Sequence, residues 1–118
     1  MEAELKFFGF NALITNIEEA DLLCKNQEFF IPLMLSIGIK GKEGADYFYL
    51  DVYNTEWLRR RSEYKWGNAL LIMDSDNIYD IKDVIEDKIK SIEGKDWDEI
   101  VSKLTRYFSW EYDDIKVS

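Results

Sequence analysis

Residues 29–39 constrain the fold more than any other stretch. Phe29, Ile31, Leu33, Leu35, Ile37 and Ile39 fall on one side of an extended chain, and Phe30, Pro32, Met34, Ser36 and Gly38 fall on the other. A period of two is the mark of a strand with one buried face. Gly41-Lys42-Glu43-Gly44 then supplies turn chemistry, and alternation resumes over residues 46–54. There Phe48, Leu50 and Val52 share one face, and Tyr47, Tyr49, Asp51 and Tyr53 share the opposite one. Two alternating runs across a glycine turn predict an antiparallel hairpin. Pro32 has no N–H to give a ladder, which favours an edge position or a bulge.

The rest of the chain supplies partners for the hairpin. Apolar residues in 3–14 read as an opening strand, and the polar interval 15–28 reads as a loop or a short helical turn. Thr55 is placed to cap a short helix containing Trp57-Leu58, with Glu56 in its first turn. After Gly67, residues 68–73 read as a buried strand. Ile78, Ile81, Ile85, Ile89 and Ile92 recur at helical spacing, with Asp76, Asp80, Asp83 and Asp87 on another face and Gly94 as a stop. A second helix opens with the capping-box spacing of Asp96 and Glu99 and runs through Leu104 to Phe108. The order predicts an α+β fold: residues 1–118 as one domain, an antiparallel or mixed sheet of about four strands, and helices packed on one face.

Composition narrows the function. With 118 residues, 47% of them hydrophobic and only one proline, the chain has enough apolar surface for a single core. Fifteen basic against 24 acidic residues give a net charge of -9. That balance repels nucleic acid and anionic lipid and suits a basic protein partner, although it also serves solubility alone. Cys24 is the lone cysteine, so no internal disulfide forms and a reducing cytoplasmic setting is expected. The acidic start, Met1-Glu2-Ala3-Glu4, is unlike a signal peptide. No apolar run approaches the roughly 20 residues of a membrane span.

Catalytic chemistry finds little to use. The chain has no histidine, hence no imidazole base or ligand, and Cys24 has no histidine to activate it. No phosphate-cradling glycine loop is present. The acid pairs Asp74/Asp76 and Asp96/Asp98 suit a divalent cation or acid–base work, but both sit where helices begin and read better as caps. No cofactor and no metal is expected. Arg59-Arg60-Arg61 with Lys65 is the one basic cluster and reads first as an offset to the chain's own acids.

Binding fits better. Tyrosines 47, 49 and 53 around Asp51 offer rigid, amphipathic contact area, unless another segment covers them as a boundary layer. Asp76, Asp80, Asp83 and Asp87 form an acidic helix face that is either solvated or a steering surface for a cationic partner. Trp57, Trp97 and Trp110 sit in apolar contexts suited to packing, whereas Trp66 reads as a contact residue.

The segment Gly41-Lys-Glu-Gly-Ala-Asp-Tyr-Phe-Tyr-Leu-Asp-Val-Tyr-Asn-Thr-Glu-Trp-Leu58 resembles the central signature of the immunity protein 8 family of bacterial polymorphic toxin systems. A glycine turn leads there into an aromatic-x-hydrophobic-x-Val strand, then a polar residue before Trp-Leu. The closing stretch, Trp97 to Trp110-Glu-Tyr-Asp-Asp114, is similar to the family's last helix and its ending, and the likeness spans nearly the whole chain. Phe48, Trp57, Leu58 and Trp110 match family positions that look structural. Asn54-Thr55-Glu56 departs from the Cys-Thr-Pro-like run common before Trp-Leu. The resemblance implies an α+β protein that binds the catalytic domain of a cognate toxin and protects the cell that makes it; inhibition by occlusion, with no catalytic residues of its own, is the leading expectation. Tyr47, Tyr49, Asp51 and Tyr53, or Asp76, Asp80, Asp83 and Asp87, are the candidate contacts. A carboxylate-dependent enzyme centred on Asp74 and Asp76, or a structural homo-oligomer, are the competing readings.

Overall fold

A computed structural model describes residues 1–11, 14–60 and 69–113. The predicted hairpin is its centre: β2 (Phe30–Ile39) pairs antiparallel with β3 (Asp46–Tyr53), with Leu33 opposite Leu50 and Leu35 opposite Phe48. Gly41 and Gly44 turn the chain at φ 81° and 92°, a region that side chains with a Cβ avoid. On one flank β1 (Ala3–Phe10) pairs antiparallel with β2, through an irregularity between Leu5 and Phe7. On the other flank β3 shares its edge between two short strands. Its C-terminal half pairs parallel with β4 (Leu70–Ile72), and its N-terminal half pairs antiparallel with β5 (Ser109–Trp110). The sheet is therefore mixed and, among the described residues, has five strands, one more than the periodicity indicates. The two-residue β5 has no period of its own to detect.

Pro32 lies in an interior strand, against the edge position its chemistry favours. The reason is local. Asp51, opposite Pro32, turns its N–H away toward Ala69, so the backbone of Pro32 faces the β1 side, where β1 has already ended. Its carbonyl accepts Asn11 N–H at 3.0 Å, and the missing donor leaves no gap in a ladder.

Three helices seal one face. The polar interval folds as α1 (Ile17–Cys24), capped by the Asn16 side chain, and buries Ala20 and Cys24. Helix α3 (Ile78–Lys90) buries Ile78, Ile81, Ile85 and Ile89, and α4 (Trp97–Leu104) buries Ile100, Val101 and Leu104. These side chains join Ile31, Leu33, Leu35, Ile37, Phe48, Leu50 and Val52 in one core. Every sheet residue in that list from β2 and β3 comes from the face the alternation assigns to the interior.

Several boundaries differ from the sequence reading. Helix α3 ends at Lys90 with Ser91 as its cap, three residues before Gly94. Helix α4 is capped by Asp96, whose carboxylate accepts Glu99 N–H at 2.9 Å, but it stops at Leu104 and leaves Tyr107 and Phe108 in a turn. The short helix α2 (Thr55–Arg60) does not join the others. Its Trp57 ring lies 5.4 Å from Phe30 and 6.0 Å from Tyr53, which are on the opposite face of the sheet. Not all helices pack on one side.

Candidate protein-binding surface

The face away from the core is a grid set by strand register. Phe7, Ser36 and Tyr47 form one row, and Gly9, Met34, Tyr49 and Ser109 form the next. Pro32, Asp51 and Leu70 follow, and Phe30, Tyr53 and Ile72 close the far end. Phe7 is 58% exposed and Tyr47 46% exposed, while Met34, Tyr49 and Asp51 are half-buried. Phe7 does not stand off the sheet. A Cβ on Gly9 would come within 2.5 Å of its ring, so the ring occupies the space over the glycine while remaining largely exposed.

Tyr53 must be removed from the predicted contacts as a side chain that a partner can touch. It is 1% exposed, stacked on Phe30 at 4.9 Å and overlain by Trp57. The alternation places it on the outer face correctly, but α2 folds back and covers that end. Trp57 packs there, and not in the main core. Tyr47, Tyr49 and Asp51 remain together on the open part. Phe7 and Met34 join them, although neither is among the expected contacts: the alternation of β2 already puts Met34 on the outer face, and the clustered apolar residues of β1 give no period that singles out Phe7. The signal was Gly9, two residues from Phe7 on the same face of a strand.

Asn54, and not Thr55, caps α2. Its buried side chain accepts N–H groups from Phe29 (3.1 Å) and Trp57 (3.0 Å) and donates to Gln27 O at 2.9 Å. Thr55 instead gives both its N–H (2.8 Å) and its hydroxyl (2.7 Å) to Asp74. Those bonds hold the Asp74 carboxyl below its ordinary range. Asp74 therefore fastens α2 to the segment after β4, whereas Asp76 is exposed and its carbonyl receives Lys25. Among the described residues no three His, Cys, Asp or Glu side chains converge in a metal-binding arrangement.

The basic cluster is occupied by its own acids as far as it is described. Arg59 and Arg60 bind Glu56 at 2.6 and 2.9 Å, and Arg60 also reaches Glu28 at 3.4 Å. Arg59 first and Arg60 second lower the Glu56 carboxyl to about 2. Arg61, Lys65 and Trp66 lie outside the described residues. Cys24 is buried, and desolvation pushes its thiol up to about 11, far from a reactive thiolate.

The acidic helix face is real but lies on the other side of the molecule. Asp80, Asp83 and Asp87 are exposed along the solvent side of α3, with Asp76 exposed just before it, and α3 packs on the sealed face of the sheet. The two predicted patches are thus separated by the full thickness of the sheet and helix layers. No helix among the described residues is long and apolar enough to cross a membrane.

The fold defines the chain as an α+β protein with one sheet face sealed by helices and the other carrying aromatic side chains to the surface. The family model of immunity protein 8 matches residues 15–115, and the chain belongs to that family. It is an immunity protein by that membership. Neither the curated proteins nor the solved structures compared with it yield a match.

Proposed function

We propose that this immunity protein binds a cognate toxin domain through the open face of its sheet and neutralises it by covering the toxin's substrate cleft. The observation that carries the reading is the pair of rows around Phe7, Tyr47, Met34 and Tyr49, aromatic and apolar yet at the surface. Such contiguous exposed apolar surface marks interaction sites, and rigid aromatic rings supply most of the energy at protein interfaces. Asp51 adds a charge within the face, and a net charge of -9 favours a basic partner. Asp80, Asp83 and Asp87 act at a distance, through the field that draws a cationic domain in. The protein works in the cytoplasm, where Cys24 stays a thiol.

The test is co-expression with the toxin domain encoded by the neighbouring gene, scored by co-purification and by rescue of growth. The wild-type chain rescues; the Phe7→Ala, Tyr47→Ala double variant does not. Absence of both co-purification and rescue with the wild-type chain removes the assignment for that pair. Full rescue by a folded double variant removes the sheet face as the contact surface.

A further inference from the structure

Beside α3, on the side away from β1, runs a groove of about 460 Å³. Its floor is Leu50, Leu71, Ile85 and Phe108, and Val84 and Tyr107 form its walls, 43% and 42% exposed. Lys88 lies against it with its ammonium 4.5 Å from the centre of the Tyr107 ring. An apolar groove with exposed apolar walls invites an occupant. The charge pattern along its helical wall says which one.

Asp80, Val84 and Lys88 are four residues apart and lie in one stripe along α3, and Asn77 and Ser91 stand seven residues to either side of Val84. The stripe is antisymmetric in charge about Val84. If two such helices cross antiparallel at Val84, Asp80 of each copy meets Lys88 of the other, twice over, while Asn77 meets Ser91. A two-fold contact requires this kind of self-complementarity. A uniformly basic partner matches it less well than a second copy does, because the groove carries Lys88 and Arg106 beside Asp87 and its charge is mixed.

We propose that the Val84 stripe of α3 and its adjoining groove form a two-fold interface between two copies of this chain. Val84 packs at the dyad, Tyr107 of each copy flanks it, and the Asp80–Lys88 pairs set the antiparallel register. The interface lies opposite the open sheet face, so a dimer presents two such faces outward and leaves each available to a toxin.

Sedimentation equilibrium on the full chain alone, from micromolar to millimolar concentration, tests this. The average mass should rise toward twice the monomer mass. Asp80→Lys or Lys88→Asp alone should weaken dimerisation about tenfold or more, since two attractive pairs become repulsive. The double swap Asp80→Lys with Lys88→Asp should restore it to within about threefold of wild type, because opposite charges meet again in the dimer. Val84→Asp, at an exposed position, should leave circular dichroism unchanged and the protein monomeric at every concentration. A wild-type mass that stays monomeric throughout overturns the proposal, as does a folded double swap that dimerises no better than either single variant. Toxin capture reads out separately: Val84→Asp should still co-purify with the toxin domain. Loss of capture by that variant, with a monomeric wild type, would overturn the dimer and assign the groove to the toxin.

Discussion

The indole N–H of Trp110 donates to Oδ2 of Asp46 at 3.0 Å, joining the last strand to the first residue of β3 across 64 positions of sequence. Trp97, from the start of α4, donates to the same oxygen at 3.2 Å. One carboxylate thus ties hairpin, helix and closing strand together at the rim of the core. Asp46→Ala strands two part-buried indole donors, each costing about 1–3 kcal/mol when unsatisfied. A loss of about 2 kcal/mol in urea unfolding is expected, with tryptophan emission shifted to the red. Asp46→Asn keeps an acceptor and should lose less than half as much.

Asn54 is the one buried polar side chain among the described residues, and its amide serves three backbone groups at once. Asn54→Ala removes the α2 cap and leaves the Phe29 N–H without its partner. About 2–3 kcal/mol of stability should go, measured by chemical denaturation. Asn54→Asp preserves both acceptor roles and loses only the donation to Gln27. It should fall between the alanine variant and wild type.

Glu56 predicts a pH signature. In the folded chain its carboxyl stays charged down to about 2, whereas its ordinary value is 4.5. A depressed folded value means that the pairing with Arg59 and Arg60 contributes fully above about 4.5 and is lost as pH falls toward 2. Glu56→Gln should therefore be less stable than wild type at neutral pH, and the gap should close through that window. Urea midpoints of both proteins across the range measure it, and a gap that does not narrow with acid would contradict the assignment.

On the open face, Gly9→Ala separates stability from binding. The new methyl meets the far end of the Phe7 ring, which can rotate off the sheet at small cost, and Met34 O lies at 3.2 Å. The fold should lose no more than about 1 kcal/mol. Toxin affinity should fall nonetheless, by about tenfold, because the Phe7 ring is displaced. Titration calorimetry against the toxin domain checks this.

Charge reversal at Asp83 and Asp87 should act on rate alone. These side chains lie on the helix layer, away from the proposed contact face, so Asp83→Lys with Asp87→Lys should slow association several-fold at low salt and leave dissociation unchanged. Stopped-flow kinetics at two ionic strengths distinguishes this from direct contact, which would raise the dissociation rate.

What could be read from the sequence follows how local each signal is. The β2–β3 hairpin and its faces, the isoleucine stripe of α3 from Ile78 to Ile89 and the Asp96 cap are written in neighbouring residues, and each stands as expected. Tyr53 was placed on the correct face, but its burial depends on Trp57 returning from another element, which alternation cannot report. Thr55 has a capping side chain in a capping context, yet Asn54 takes the role because Asp74, 19 residues away, claims both donors of Thr55. The exposure of Phe7 depends on the glycine beside it, and the convergence of Trp97 and Trp110 on Asp46 exists only in three dimensions. The acids of α3 were recognised as a face, but only the layered fold separates them from the tyrosines.

Strand β3 takes its final partner from residues 109 and 110. During synthesis, the edge beside Tyr47 and Tyr49 therefore waits for nearly the whole described chain to leave the ribosome, and until then it offers unpaired backbone to any strand nearby. A chain broken off after α4 would carry every tyrosine of the open face and still lack β5 and the Trp110 half of the Asp46 anchor. Such a chain would carry an open strand edge, the kind of surface through which chains pair and aggregate.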